Sequence, residues 1–404
     1  MKRIEKFDIR CKKIGLRIDL IRLIEDSVKK KGGKIFLVGG NVRDLILDQK
    51  IINHPDLVVD LNIKTVIDCL KKSRIKYLKI GEKFGSLVII MNKLKFDLTS
   101  MRRDIKNDGR WAKIKFTDNL IEDSRRRDFT INSIYCDTVG NIYDPNNGIE
   151  DLKKKKVRFI GDVKKRIFED YLRILRFYRF TLNFSGKFDE NSLNVCNENL
   201  GRLTKLSFER RIKELQQILI LKKIEEKKNL LYIKKLLESS LETNLNFKNF
   251  FVLCNLERSI DYISYQRRIK FLLRSKKEIP RFLLRNIEKK FKKRLKKEII
   301  FKNYDDLELN LILYKFDKEQ IIDQLIIDCS DELISRKRFK EIYRRIESFE
   351  KKRLPISGND LIKIGFKRGK SVGDVIIKIE SWWIKNNFSN NKNDCIKYAR
   401  NFLP

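Results

Sequence analysis

The chain has 404 residues, of which 42% are hydrophobic, so it is long enough for two or more domains and is not a disordered chain. It has 93 Lys and Arg against 55 Asp and Glu, a formal net charge of +38, which fits either a polyanionic partner such as nucleic acid or a drift in composition towards lysine. The single histidine argues against a Ser-His-Asp relay and excludes a His-Asp metal phosphohydrolase domain.

Seven cysteines are scattered along the chain without any CxxC pair, which predicts reduced and mostly buried thiols. The N-terminal sequence MKRIEKFDIRCKK lacks the continuous apolar segment of a secretory signal. No apolar run reaches the length of about 18 residues that a membrane-spanning helix needs. These features together predict a cytoplasmic protein.

In chain order, the first 160 residues alternate between helical and extended patterns. Apolar spacing predicts a helix within residues 1–30, KIFLVGG and DLVVDL predict two buried strands, KTVIDCLKK predicts a helix, and SLVIIMN with LKFDLTSM predicts a hairpin. The polar residues 102–119 predict an irregular, mobile loop, and residues 125–137 predict a helix that precedes another hairpin. The pattern predicts an α/β domain with a small mixed sheet.

From about residue 161 the apolar residues recur with the period of helices, and this pattern continues to about residue 345. A break that contains Gly and Pro, at residues 352–374, precedes a last module with an amphipathic helix. That helix carries Trp382 and Trp383, for which core packing is favoured over stacking on RNA. The fold class is therefore α/β followed by all-α.

A Gly-Gly turn follows the first apolar strand, in FLVGGNVRDLIL. The backbone N–H groups of such a turn can hold a triphosphate, which makes Gly39 and Gly40 candidate nucleotide-binding residues. A purely structural turn explains this segment equally well when it is taken alone.

Two segments further along carry polar residues at helical spacing. In RRDFTIN, Asp128 and Asn132 are four residues apart, and in EDYLRILRFYRF, Asp170 and Arg173 are three apart. A carboxylate beside a guanidinium is suited to hydrogen bonding with the edge of a base. Each pair alone is also consistent with an ordinary surface contact.

The chain resembles the class II CCA-adding tRNA nucleotidyltransferases, of the tRNA nucleotidyltransferase/poly(A) polymerase family. The resemblance rests on six segments between about residues 35 and 215, which occur in the order FLVGGNVRD, GEKFGSLVIIMNKLKFDLTSMRRDIKNDGR, RRDFTINSIYCD, DPNNGIEDLKKKKVRFIGD, EDYLRILRFYRF and SFERRIKEL. The C-terminal segment LPISGNDLIKIGFKRGKSVGDVI is also similar to the tail module of this family, particularly in its alphaproteobacterial form.

The resemblance implies a polymerase-beta-like nucleotidyltransferase head at residues 1–160 and a helical neck at 161–225 that binds the base and RNA. It implies a helical, tRNA-binding body at 226–345 and a tail module at 346–404. The implied activity is template-independent addition of CMP, CMP and AMP to the 3′ end of tRNA, with CTP and ATP as substrates. Residues 102–116 would help the switch from C to A.

The resemblance also implies roles for individual residues. The triphosphate would be bound by Gly39, Gly40, Arg43 and Asp44. The sugar and phosphate would be contacted by Arg127, Asp128 and Asn132. The Watson–Crick edge of the base would be contacted by Asp170 and Arg173.

The implied metal site departs from the family pattern at one residue. Two-metal phosphoryl transfer requires carboxylate ligands for Mg²⁺, and the family supplies Asp-x-Asp on one strand and a third Asp on a neighbouring strand. This chain has His54-Pro55-Asp56 in place of Asp-x-Asp, so that His54 stands where the first aspartate is expected. Asp97 in KFDLTS matches the third carboxylate.

His54 leaves three interpretations. Its imidazole could bind the metal, with Mn²⁺ preferred over Mg²⁺. Asp56 and Asp97, aided by Asp60 on the same strand face, could instead keep weaker activity. In the third interpretation the head is inactive and the chain only binds tRNA. Retained activity is favoured because the other motifs are intact.

Other activities within the same superfamily remain as alternatives. A poly(A) polymerase would extend RNA with A only, but the chain lacks a long insertion between Asp56 and Asp97 and a basic appendage beyond the tail. A partial enzyme that adds only A or only CC is a further alternative, because EDYLR would serve both bases.

Overall fold

The structure is a computed structural model, and it describes residues 2–49, 54–106, 113–184, 187–221, 224, 227–276, 283, 287, 289–296 and 299–403. The chain packs into two compact units, Met1–Thr243 and Asn244–Pro404. The finer division into head, neck, body and tail stays a prediction. Within the described ranges, no helix combines the length and apolar character that crossing a bilayer demands.

The described residues of the first unit form ten strands. They are β1 (Lys2–Arg3), β2 (Ile35–Val38), β3 (Asp56–Val59), β4 (Lys76–Leu78), β5 (Ser86–Met91), β6 (Leu94–Ser100), β7 (Arg102–Lys106), β8 (Lys113–Phe116), β9 (Tyr135–Asp137) and β10 (Asn141–Tyr143). Eight of them form one sheet in the order β1-β10-β9-β2-β3-β6-β5-β4, and β7 pairs with β8 separately. Only β3 and β6 run parallel, so the sheet is mixed, as the sequence predicted.

Eleven described helices belong to the same unit. They are α1 (Phe7–Ile14), α2 (Ile18–Lys29), α3 (Gly40–Ile46), α4 (Ile63–Lys72), α5 (Leu120–Arg125), α6 (Gly148–Lys153), α7 (Val163–Glu169), α8 (Leu172–Phe184), α9 (Glu190–Glu198), α10 (Phe208–Leu219) and α11 (Lys227–Leu241). Short 3₁₀ helices cover Glu82–Phe84, Thr130–Asn132 and Leu200–Lys205.

The patterns that predicted strands are confirmed where local sequence decides the structure. All four residues of β2 are buried, and the strand ends at the Gly-Gly turn. β5 and β6 form the predicted hairpin, in which Asn92 and Lys93 both adopt positive φ, as a tight turn between twisted strands requires. The helix expected within residues 1–30 is divided into α1 and α2, because Gly15 adopts φ +83° and ends α1.

Two predictions for the region between the hairpin and β9 are wrong. Residues 102–116 are not an irregular loop, since β7 and β8 pair in antiparallel fashion, although 107–112 lie outside the described residues. Residues 125–137 are not one helix. The Thr130 N–H donates to the Arg158 carbonyl and the Ile160 N–H to the Asp128 carbonyl, so this segment pairs with residues 158–160 instead.

The described secondary structure of the second unit is helical. Its helices are α12 (Phe250–Ser259), α13 (Tyr265–Leu273), α14 (Lys289–Lys296), α15 (Asp306–Lys315), α16 (Lys318–Ser330), α17 (Arg336–Ser348), α18 (Gly358–Lys363), α19 (Lys370–Lys385) and α20 (Lys392–Arg400). One apolar core includes Leu361, Ile379 and Trp383. Trp382 stacks on Tyr398 with ring centroids 4.3 Å apart, so core packing of both tryptophans is confirmed.

A buried ion-pair cluster joins α12, α13, α14 and α16. Arg267 donates to Glu257 at 2.8 Å and to Asp323 at 2.9 Å, and Arg268 donates to Glu257 at 2.6 Å. Arg294 adds a further pair with Asp323. Because these carboxylates are almost fully buried, removing one partner would leave an uncompensated charge, and the cluster therefore fixes how these helices pack.

Candidate active site

Two carboxylates lie side by side at the centre of the mixed sheet. Asp56 opens β3, and its register partner on the parallel strand β6 is Asp97, whose N–H donates to the Pro55 carbonyl at 3.0 Å. Register partners on neighbouring strands point to the same face of a sheet. Limited solvation raises the pKa of Asp56, and the negative charge of Asp97 raises it further, while Arg127 and Arg176 oppose the shift.

His54 is exposed and lies two residues before Asp56, immediately before the sheet ladder begins. Within the ranges that the structure describes, no three His, Cys, Asp or Glu side chains converge as metal ligands. Asp60 does not join the carboxylate pair, because its side chain accepts the Lys34 N–H at 2.7 Å. The sequence-based suggestion that Asp60 aids the metal site is therefore not supported by its position.

The Gly-Gly turn lies against the segment RRDFTIN. Gly39 adopts φ +68°, and a Cβ placed there would lie 3.7 Å from the Asn132 carbonyl oxygen. Arg43, one turn into α3, donates to the Asn132 side-chain oxygen at 2.9 Å and lies 3.6 Å from Asp44. Burial raises the pKa of Asp44, and the Arg43 charge counteracts it. These contacts bring together residues that are about 90 positions apart in the sequence.

Asp128 and Asn132 form a hydrogen-bonded pair, as their spacing predicted, although the intervening residues do not form an α-helix. The Asn132 amide donates to Asp128 Oδ1 at 3.0 Å, and Arg176 from α8 donates to Asp128 Oδ2 at 2.6 Å. Burial would raise the pKa of Asp128, but Arg176 and Asn132 outweigh it and hold the pKa at about 2. Both carboxylate oxygens have protein partners, so Asp128 orients Asn132 and Arg176.

Three guanidinium groups surround the buried ring of Phe180. Arg43, Arg176 and Arg179 lie 5.2, 5.4 and 4.2 Å from its centroid. Arg179 also donates to Glu214 of α10 at 2.6 Å. Burial lowers the pKa of Arg43, and the nearby Arg179 charge lowers it too, which shows how concentrated positive charge is here. Arg176, Arg179 and Phe180 were not identified from the sequence, although their spacing on one helix was visible.

Asp170 and Arg173 do not pair with each other. Arg173 is buried, and it donates to Glu169 at 2.6 Å and to the Arg166 carbonyl at 2.8 Å. Asp170 instead accepts from Arg210 of α10 at 2.8 Å. The carboxylate–guanidinium pair present here is therefore Asp170 with Arg210, a residue within the segment SFERRIKEL.

Asp123 of α5 is a fully buried carboxylate that the sequence analysis did not identify. It accepts hydrogen bonds from the Arg102 N–H (3.1 Å), Arg126 (2.8 Å), Arg127 (3.1 Å) and the Tyr135 hydroxyl (2.8 Å). Burial would raise its pKa, but Arg126 and Arg127 outweigh burial and hold the pKa at about 2. One carboxylate thus connects β7, the RRD segment and β9.

Two family models match separate parts of the chain. The Poly A polymerase head domain matches residues 35–158, and the tRNA nucleotidyltransferase domain 2 (putative) matches residues 275–399. The human CCA tRNA nucleotidyltransferase 1, mitochondrial, is 28% identical over 394 residues, which cover 94% of this chain and 89% of the human protein. Both regions of the chain are thus similar to the tRNA nucleotidyltransferase/poly(A) polymerase family.

CCA-adding enzymes match along nearly the whole chain. The CCA-adding enzyme of Staphylococcus haemolyticus is 26% identical over 403 residues, covering 93% of this chain and 96% of that protein. The Bacillus stearothermophilus CCA-adding enzyme in complex with CTP superposes with a TM-score of 0.71 at 21% identity, covering 95% and 97% of the two chains. The Thermotoga maritima CCA-adding enzyme complexed with tRNA superposes with a TM-score of 0.68 at 18% sequence identity, covering 100% of both chains. These superpositions confirm the expected fold, a polymerase-beta-like head followed by helical regions.

Proposed function

We propose that this protein adds CMP, CMP and AMP to the 3′ end of tRNA, without a nucleic-acid template. The observation that carries the proposal is the register pair of Asp56 and Asp97 beside the cluster of Arg43, Arg176 and Arg179. Adjacent carboxylates next to concentrated guanidinium groups suit transfer of a nucleotidyl group from a triphosphate. Relatives named as CCA-adding enzymes, solved with CTP and with tRNA, support this substrate class.

The arginine cluster around Phe180 would bind the triphosphate. Asp128 and Glu214 hold Arg176 and Arg179 in place, so little side-chain freedom remains to be lost when the nucleotide binds. The turn at Gly39 and Gly40 would approach the phosphates through its backbone, and Asn132 and Arg127 would contact the sugar and phosphate.

Asp170 and Arg173 would read the base. A carboxylate accepts from the exocyclic amino group of cytosine or adenine, and a guanidinium donates to the adjacent ring nitrogen. Since Asp170 accepts from Arg210 and Arg173 donates to Glu169, base recognition would use the acceptor sites and N–H groups that these contacts leave, or would displace the partners.

Enzymes of this family use divalent metal ions, and we propose Mg²⁺ held by Asp56 and Asp97. The donor set fits, because Mg²⁺ is commonly bound by one or two carboxylates together with substrate phosphates. Limited solvation and, to a smaller extent, the charge of Asp97 raise the pKa of Asp56, and a bound cation would favour its ionised form. When bound, the ion supplies charge neutralisation at the reacting phosphate and lowers the pKa of the attacking hydroxyl.

All seven cysteines are buried thiols, which fits a compartment that keeps thiols reduced. On this basis we propose a cytoplasmic location, although the human and mouse relatives are named as mitochondrial.

A catalytically impaired, tRNA-binding homologue is the second candidate. The observation in its favour is His54, which stands where the family has the first aspartate of Asp-x-Asp. Imidazole nitrogen suits Mg²⁺ less well than carboxylate oxygen does.

One assay separates these functions. Purified protein is incubated with tRNA that lacks CCA and with each of the four nucleoside triphosphates singly and together, and the products are sequenced. The proposal predicts C-C-A. A-only products would indicate a poly(A) polymerase or an A-adding enzyme, CC-only products a partial enzyme, and tRNA binding without any addition the impaired homologue.

A further inference from the structure

A small aromatic and basic surface lies directly beside the proposed base-reading residues. It consists of Phe168 at the end of α7, Tyr171 between α7 and α8, and Arg202 and Lys205 in the 3₁₀ helix Leu200–Lys205, and we call it the Phe168 surface. Phe168 is 44% exposed, so part of its ring is accessible from solvent. Tyr171 follows Asp170 in the sequence, so this surface adjoins the nucleotide site.

The two cations of the Phe168 surface lie over its rings. Arg202 lies 4.9 Å from the Phe168 centroid and 5.9 Å from that of Tyr171, and the Lys205 ammonium lies 6.0 Å from the Tyr171 ring. The two rings are 6.0 Å apart. These distances are within the range of cation–π attraction, which holds the charges at the aromatic surface.

No carboxylate within the described part of the chain forms an ion pair with Arg202 or Lys205, and the Arg202 guanidinium donates to the Asn199 side-chain oxygen at 3.1 Å. Nearby arginines differ in this respect. Arg173 pairs with Glu169 and Arg210 with Asp170. The Phe168 surface therefore carries positive charge that is not neutralised by the protein itself.

We propose that the Phe168 surface binds the unpaired nucleotides at the 3′ end of the tRNA substrate. The exposed Phe168 ring and the half-buried Tyr171 ring provide stacking platforms for bases, and the uncompensated cations attract the adjacent phosphates. A base-paired acceptor stem does not fit as well, because a double helix presents phosphates and hydroxyl groups while its base faces are stacked inside. The proposal rests on the proposed function, which makes tRNA the substrate.

Binding of two RNAs to the full-length protein tests this assignment. One RNA is tRNA that ends with its unpaired 3′ nucleotide and CC, and the other is trimmed to a blunt acceptor stem. The wild type is expected to prefer the unpaired end. Phe168→Leu keeps an apolar side chain but removes the ring, and it is expected to weaken binding of the unpaired-end RNA by about 10-fold while leaving the blunt RNA unaffected.

Arg202→Gln tests the electrostatic part. Each phosphate contact that is lost reduces the slope of log affinity against log salt by about 0.7 for single-stranded RNA, so this variant is expected to lower the slope for the unpaired-end RNA by that amount. Phe251→Leu is the matched control, because Phe251 is 42% exposed and lies in the other compact unit. It is expected to leave the preference between the two RNAs unchanged.

Equal effects of Phe168→Leu on both RNAs, no effect on either, or a wild type without preference for the unpaired end would each overturn the assignment. Thermal melts of all variants establish that they are folded. Nucleotide addition by the wild type is measured in parallel. A wild type that binds the unpaired end through Phe168 but adds no nucleotide would contradict the proposed function and leave the binding surface intact.

Discussion

Position 54 is where the chemistry of the site depends on one side chain. Asp56 and Asp97 provide two adjacent carboxylates, and His54 lies two residues earlier at the same end of β3. A hard cation such as Mg²⁺ gains more from a third carboxylate than from an imidazole. We therefore expect the residue at this position to affect how well Mg²⁺ binds at the proposed metal site.

His54→Asp is expected to raise nucleotide incorporation with Mg²⁺ by about 10-fold, equivalent to about 1.4 kcal/mol of transition-state stabilisation. A smaller gain is expected with Mn²⁺, which accepts a nitrogen ligand more readily. Initial rates with tRNA lacking CCA, CTP and ATP measure both effects. His54→Asn is the control, since it removes the imidazole without adding a carboxylate. If the wild type incorporates nucleotides with Mg²⁺ as fast as His54→Asp or faster, the enzyme does not lose a metal ligand by having histidine at position 54.

Asp56→Asn is expected to make the metal-free protein more stable while it abolishes activity. The folded-state pKa of Asp56 is raised, so its ionised form at neutral pH destabilises the fold, and this cost disappears below the ordinary pKa of 3.8. The variant should therefore show a higher Tm than the wild type in EDTA at pH 7, and the difference should shrink towards pH 3.5.

Asp68→Asn is the matched control, because Asp68 is exposed on α4, where substitutions are usually within about 0.5 kcal/mol of neutral. A lower Tm for Asp56→Asn at pH 7 would contradict the proposed repulsion between the two carboxylates.

At the scale of elements, α5 connects the β7–β8 hairpin to the rest of the site. Asn119 caps α5 by accepting the Ile121 N–H at 2.9 Å, and Glu122 accepts from Thr117 at 2.7 Å, just after β8. Asp123 accepts from the first residue of β7 and from Arg127. The position of the hairpin and the orientation of Arg127 are thus both fixed by α5.

Asp123→Asn is expected to lower the free energy of unfolding at pH 7 by about 3 kcal/mol, because it leaves two guanidinium groups without their buried partner. The pKa of Asp123 is lowered to about 2, so its contribution is complete above the ordinary value of 3.8 and is lost as the pH falls towards 2. Chemical unfolding should show a smaller difference between variant and wild type at pH 2.5 than at pH 7.

Asp118→Asn, an exposed substitution five residues away, serves as the control for Asp123→Asn. A difference between Asp123→Asn and the wild type that does not change with pH would show that the charge of Asp123 is not what stabilises the fold.

Elements that carry their own apolar pattern or turn residues could be predicted from the sequence. Elements whose conformation depends on pairing with residues far away in the sequence could not. β2, β5 and β6 carry the apolar residues and the turn that define them. The polar β7 and β8 have no such signal and depend on each other. Likewise, the segment around Phe129 has helical spacing, but its pairing with Phe159 and residue 158 holds it in another conformation.

The same distinction holds for the site across the whole molecule. Motif order identified Asp56, Asp97 and Asn132 as candidates, and the structure brings the two carboxylates into register and ties Asn132 to the Gly-Gly turn. Arg176 was missed because its hydrogen bond to Asp128 spans 48 residues. Asp123 was missed because its burial depends on contacts with Arg102 and Tyr135, 21 and 12 residues away, in addition to its local pairs with Arg126 and Arg127. Which residue pairs with Asp170 also depends on tertiary packing, since Arg210 is 40 positions away.

The net charge of +38 leads to a prediction for the whole molecule. Binding to tRNA is expected to weaken about 10³-fold between 50 and 200 mM salt, because phosphate contacts by lysine and arginine release counterions. Fluorescence anisotropy of labelled tRNA over this range measures the slope. A flat response would mean that the excess of lysine reflects composition and not RNA binding.

The tryptophans are unevenly distributed along the chain, because Trp382 and Trp383 lie side by side in one helix. Trp383 is buried and donates to the Asn390 carbonyl at 3.0 Å, and Trp382 is stacked on Tyr398. Two of the three tryptophans thus lie within one helix of the second unit, and the third, Trp111, is outside the described residues. Replacing Trp111 with Phe would make the selectively excited tryptophan fluorescence report on Asn244–Pro404 alone, so the unfolding of this unit could be followed separately from the far-UV circular dichroism of the whole chain.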